Sequence, residues 1–210
     1  MSLLNPKDME INKSVKENES EWKYSEEILY RKCIKDIKKI KISKIGQKEI
    51  KGPIRTLLIN WGLMSRVLES SKRKGKWQNK LKKSIKIHKK FLESTRKLDL
   101  EKTDLSDYEK DIKNCYLMIR DAVAPTSASK VLHMLSPGFF PMWDYNIREK
   151  VKKECKPRKI NESEKGYYNF MWAIKDFLIK YRAVIHLLNK RYKKSKLRIV
   201  DAYMWIACNK

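Results

Sequence analysis

Residues 122–151, AVAPTSASKVLHMLSPGFFPMWDYNIREKV, decide how this chain is read. A short helix is expected around Ser127 to Leu135, because small and apolar residues there recur at helical spacing. Ser136-Pro137-Gly138 then breaks it, since proline cannot continue a helix and glycine suits a tight turn. Phe139-Phe140-Pro141 follows as an apolar connector, and Asp144 opens the next helix by accepting hydrogen bonds from its first N–H groups.

Working outward, every other ordered segment reads as a helix. Tyr24, Ile28, Cys33, Ile37 and Ile40 give an apolar stripe between Glu21 and Ile42. After a connector from Gly46 to Pro53, Ile54, Leu57, Leu58, Trp61, Met64 and Leu68 trace an amphipathic helix with Pro53 in its first turn. Trp77, Leu81, Ile85, His88 and Leu92 repeat the pattern to about Arg96 and complete a helical hairpin. Ser106 and Glu109 have capping-box spacing ahead of a helix that reaches Val123. Two more helices are expected, over residues 167–190 and 198–207. No strand alternation or internal repeat is visible, so the fold class is all-α: a flexible tail over residues 1–20 with no expected role, then one helical domain over 21–210. That domain divides naturally into lobes of about 21–100 and 101–210.

The chain has 210 residues, 50 Lys and Arg against 25 Asp and Glu, and a formal charge of +25. Hydrophobic residues make up 41%, too many for a disordered chain, and six Gly with six Pro are too few for a turn-rich β-sandwich. The charge is unevenly spread: net +19 over residues 31–98 and +12 over 146–210, against −3 over both 1–30 and 99–145. Two basic blocks flanking a near-neutral middle suit a polyanion held around a working site, with double-stranded DNA the first expectation and RNA another. Solvated helix faces would give the same pattern. No stretch approaches the ~20 apolar residues of a membrane span and no apolar leader stands at the N-terminus, so a cytoplasmic protein is expected. Four scattered cysteines and three scattered histidines form no metal-ligand spacing; neither metal nor cofactor is expected.

In segment 122–151, Ala128 and the Asp144 that follows sixteen residues later, with Ile147 and Arg148 behind it, resemble the motif of the helix-hairpin-helix base-excision DNA glycosylase superfamily. The resemblance implies a multi-helix orthogonal bundle and a catalytic Asp144, which stabilises positive charge on the sugar as the glycosidic bond breaks and activates water. It also implies phosphate binding by the hairpin turn, here Ala124, Thr126 and Ser127. Ala122 and Ala124 stand where the motif has glycines. Thr126 stands where bifunctional members carry a Schiff-base lysine, so a monofunctional enzyme is implied, with Lys130 one turn along as a displaced amine. A non-catalytic binding module on the same scaffold is the alternative, and Asp144 as a cap alone fits it.

Around that motif, Phe140, Trp143 and Tyr145 are candidates to stack on an extruded base, or else core residues. Lys72, Arg73, Lys74, Lys76 and Lys83 in the first basic block, with Arg148, Lys193 and Lys194 in the second, are candidate phosphate contacts. His88 and His186 read as core histidines, Trp61 as packing, and Asp201 as structural.

Overall fold

Why the motif segment folds as two helices joined to a third is visible at one residue. In the computed structural model, which describes residues 2–21, 24–61, 64–70, 75–155 and 158–209, Ala124 adopts φ 75° and ψ 164°. This conformation is tolerated almost only by glycine. Pro125 bars its neighbour from helical backbone and itself supplies a favourable first residue for the next helix. The chain therefore turns sharply from α7 (Glu109–Val123) into α8 (Pro125–Leu135) at an alanine held in a strained state. Ser136 ends α8, and Asp144 caps α9 (Tyr145–Glu154), its Oδ1 accepting from the Ile147 N–H at 2.8 Å.

Twelve α-helical segments and no strands are present among the described residues, so the chain is all-α. Around the motif stand α1 (Asp8–Glu21), α2 (Tyr24–Lys38), α3 (Gln47–Glu49), α4 (Ser65–Leu68), α5 (Trp77–Ile87), α6 (Lys89–Thr95), α10 (Glu164–Lys180), α11 (Arg182–Tyr192) and α12 (Lys196–Asn209). Helix α7 packs against α5, α8 and α10, while α12 packs against α1, α9 and α11. A continuous set of buried apolar side chains runs from Leu3 to Met204. Its aromatic centre is a stacked Tyr116–Tyr167 pair, ring centroids 4.3 Å apart, with Trp143 edge-on to both.

Several elements differ from the sequence expectation, each for a local reason. Residues 1–20 are not a loose tail: Leu3, Ile11 and Val15 are buried, and α1 lies along α12. Glu154 accepts from the Leu3 and Leu4 N–H groups, and the Tyr203 hydroxyl donates to the Leu3 carbonyl at 3.0 Å. The helix expected after Pro53 is replaced by π-type turns at Ile50–Ile54 and Leu57–Trp61, followed by the short α4, because Gly52 leaves helical backbone at ψ −109°. The helix expected over 77–96 breaks at His88, and that over 167–190 breaks at Tyr181. The Tyr181 hydroxyl is committed to the Pro6 carbonyl, again tying the N-terminal segment down. Ser106 does not cap α7: its N–H and hydroxyl both bond Asp104, and Glu109 pairs with Lys113 one turn on.

Candidate functional site

Helix α8 carries Lys130 to within electrostatic reach of Asp144 at the start of α9. Lys130 is half-buried, with its Nζ 5.3 Å from the centre of the Trp61 ring. Burial pulls its ammonium below the ordinary lysine range, against the charges of Asp201 and Asp144, which favour the cation. Asp144 itself is half-buried, and Oδ1 is fixed by the cap while Oδ2 takes no hydrogen bond among the described residues. One carboxylate thus holds the helix in place and still presents an oxygen.

Behind this pair lies a buried charged network. Arg198, on the first turn of α12, is 1% exposed, and its guanidinium donates to Asp201 at 2.6 Å and to Glu27 at 3.2 Å. The same group lies over the Tyr30 and Trp61 rings at 5.3 and 5.5 Å, a cation–π arrangement that stabilises a buried charge. Burial pushes the Asp201 carboxyl up, while Arg198 and Lys130 oppose it. For Glu27 burial also raises the value, but Arg198 and Lys194 prevail and hold the carboxyl below the usual range. Lys194 completes the set with ion pairs to Glu27 and Glu19.

A neutral histidine connects this network to the motif. His133 on α8 is 1% exposed, and its Nδ1 lies 2.8 Å from the Phe140 carbonyl, which can only accept. Nδ1 therefore carries the proton, and Nε2 accepts from the Tyr30 hydroxyl at 2.7 Å. Burial lowers the imidazole to about 4, so the ring stays uncharged at neutral pH.

The structure separates the residues the sequence had grouped. Phe140 and Trp143 do not line an open site: both are core side chains, Trp143 pinned between α7 and α10 by the Tyr116, Tyr167 and Phe170 rings. Tyr145, beside Asp144, is 65% exposed, with the Arg148 guanidinium 5.5 Å from its ring centre. Arg148 is not a surface cation; it is buried and donates to Glu162 at 2.6 Å. Lys194 is likewise committed to carboxylates. Ala124 and Ser127 are buried and only Thr126 of the three is half-buried, its N–H without a backbone acceptor among the described residues. Lys76, Lys83 and Lys193 are exposed, whereas Lys72, Arg73 and Lys74 lie outside the described residues.

Sequence reasoning missed the weight of Asp201, Arg198, Glu27, Tyr30 and Trp61. The one available signal was the Arg198/Asp201 spacing of three residues within an apolar helix, which puts opposite charges on one buried face. His186, expected in the core, is exposed, and His88 is half-buried with Nε2 3.2 Å from Met118 Sδ. No helix among the described residues is long and apolar enough to cross a membrane. Compared with protein-family models, curated proteins and solved structures, the chain finds no match in any of the three.

Proposed function

We propose that the chain is a base-excision DNA N-glycosylase working through Asp144. The observation that carries this reading is the half-buried Asp144 carboxylate, capped through Oδ1, with Oδ2 uncommitted and the Lys130 ammonium and Asp201 carboxylate within electrostatic reach. In the reaction, the bond from C1′ of the sugar to the base nitrogen breaks and its electron pair leaves with the base. Asp144 stabilises the cationic sugar and accepts a proton from the water that adds to C1′. Tyr145 offers the exposed ring beside this carboxylate, and Lys76, Lys83 and Lys193 supply phosphate contacts that position the duplex without reading sequence. The strained Ala124 turn leaves the N–H of half-buried Thr126 at the start of α8 without a backbone acceptor, one donor that a phosphate can take.

A second reading is favoured by Lys130. An amine whose basicity is reduced by burial beside a carboxylate is suited to attack C1′ itself, giving a Schiff base and strand cleavage. Duplexes carrying uracil, 8-oxoguanine, hypoxanthine, alkylated adenine or a mismatch test both, with alkali revealing released bases and borohydride trapping a covalent adduct. The water mechanism is expected to release a base from one duplex, at least ~100-fold slower in Asp144→Asn, with no trapped adduct. An adduct lost in Lys130→Gln establishes the amine route. No release from any duplex, with salt-sensitive binding retained, leaves a binding module that lacks the chemistry.

A further inference from the structure

A cavity of about 380 Å³ opens between α2, the Pro137 turn and the start of α12, lined by seven cationic side chains and one carboxylate, Glu27. Its size falls within the range of about 300–1,000 Å³ of small-molecule sites. The floor is apolar and aromatic: Tyr30, Ile34 and Pro137. Glu27 does not offset the cations at the mouth, because Arg31, Lys194 and Arg198 already surround it. Four of the lining cations, Lys35, Lys38, Lys39 and Lys193, are exposed, and none has a carboxylate within ion-pair distance among the described residues. Like charges gathered around a concave, low-dielectric wall repel one another and focus a positive field into the cavity, which an anion would relieve.

Two features make the site more than a basic patch. The cavity floor is rigid: the Tyr30 hydroxyl is fixed by His133, and Arg198 by Asp201 and Glu27, so the walls are set before anything binds. The apolar floor under a cationic rim also matches a ligand with a flat ring at one end and phosphate at the other. We infer that this cavity binds a nucleoside phosphate, its ring against Tyr30, Ile34 and Pro137 and its phosphate at Lys35, Lys38, Lys39 and Lys193. The ligand is either a free nucleotide or the phosphorylated end of a nucleic-acid strand. The inference does not rest on the Asp144 reading, since three of the four rim lysines, Lys35, Lys38 and Lys39, take no part in it.

Calorimetry of the whole chain with AMP and with adenosine, in low salt and again at 0.5 M salt, tests it. AMP is expected to bind at one site, at least about tenfold tighter than adenosine, with the difference shrinking in high salt. Lys35→Gln/Lys38→Gln is expected to weaken AMP about tenfold, whereas Lys110→Gln/Lys165→Gln, the same charge change at exposed positions away from the cavity, leaves it unaltered. Equal weakening by the two double variants, or equal binding of AMP and adenosine, overturns the inference. Tetrathymidylate with a 5′-phosphate or a 5′-hydroxyl separates the sources. Competition with AMP by the phosphorylated form alone supports a strand end, competition by neither supports a free nucleotide, and equal competition by both overturns a phosphate-reading cavity. Asp144→Asn should bind AMP as the natural chain does, so failure of the glycosylase assay and failure of this site are read separately.

Discussion

Two stretches of lysine and arginine that look alike in sequence end in opposite physical situations. Along α5, Lys80, Lys83 and Lys86 project into water, and Lys83 and Lys86 line, with Asn79, Lys82 and Ile87, a shallow groove. At the start of α12, Lys194 and Arg198 are buried among Glu19, Glu27 and Asp201. The first set is worth little to stability and is available to a polyanion; the second holds helices together and is not. Charge counting cannot distinguish them, because the deciding quantity is whether the carboxylates come from distant parts of the chain.

The sharpest way to break this contrast is to remove the buried guanidinium. Arg198→Ala takes from Asp201 its guanidinium partner and from Glu27 one of three cations, and is expected to cost about 3–5 kcal/mol by urea denaturation. A loss below ~1 kcal/mol would put Arg198 in the same class as the α5 lysines. Acid offers a gentler probe of the same region. His133 titrates near 6.5 when unfolded and at about 4 when folded, so the unfolded chain takes up its proton first as pH falls. Its contribution is complete above pH 6.5 and is lost down to about pH 4, at about 1.4 kcal/mol per pH unit. Melting temperature followed across that window should flatten in His133→Gln.

Relieving the hairpin is expected to act in the other direction. Ala124→Gly exchanges a strained positive φ for one that glycine adopts freely, worth ~1–3 kcal/mol, less ~0.5–1 kcal/mol of extra chain entropy. A net gain of about 1 kcal/mol in denaturant unfolding is predicted, and a loss would show that the alanine methyl is more valuable than the backbone is strained. Smallest of all is Lys83→Gln/Lys86→Gln, which should leave stability within ~0.5 kcal/mol. DNA affinity measured against salt should nonetheless lose up to about two units of log–log slope.

What was legible follows from how local each signal is. The all-α class was open to view because apolar spacing repeats within single helices, and the Asp144 cap because a cap needs only the next three residues. The breaks at His88 and Tyr181 were hidden, since no Gly or Pro marks them and the Tyr181 hydroxyl finds its acceptor at Pro6. Phe140, Trp143 and Tyr145 are near neighbours in sequence, yet only Tyr145 meets solvent, an assignment made by α7 and α10 rather than by the aromatics themselves. The candidate site was half legible: Asp144 and Lys130 belong to one segment, whereas Glu27, Tyr30, Trp61 and Asp201 arrive from three others.

The pairing of α1 with α12 has a consequence for the order of events during synthesis. Leu3 and Tyr203, which share a hydrogen bond, are 200 residues apart, so α1 leaves the ribosome long before its partner exists. With synthesis at ~5–20 residues per second, Leu3, Ile11 and Val15 remain without their final neighbours for on the order of ten seconds or more. The first helix made is thus among the last to be seated, and the apolar groove that receives it stays open until the chain around Tyr203 has emerged.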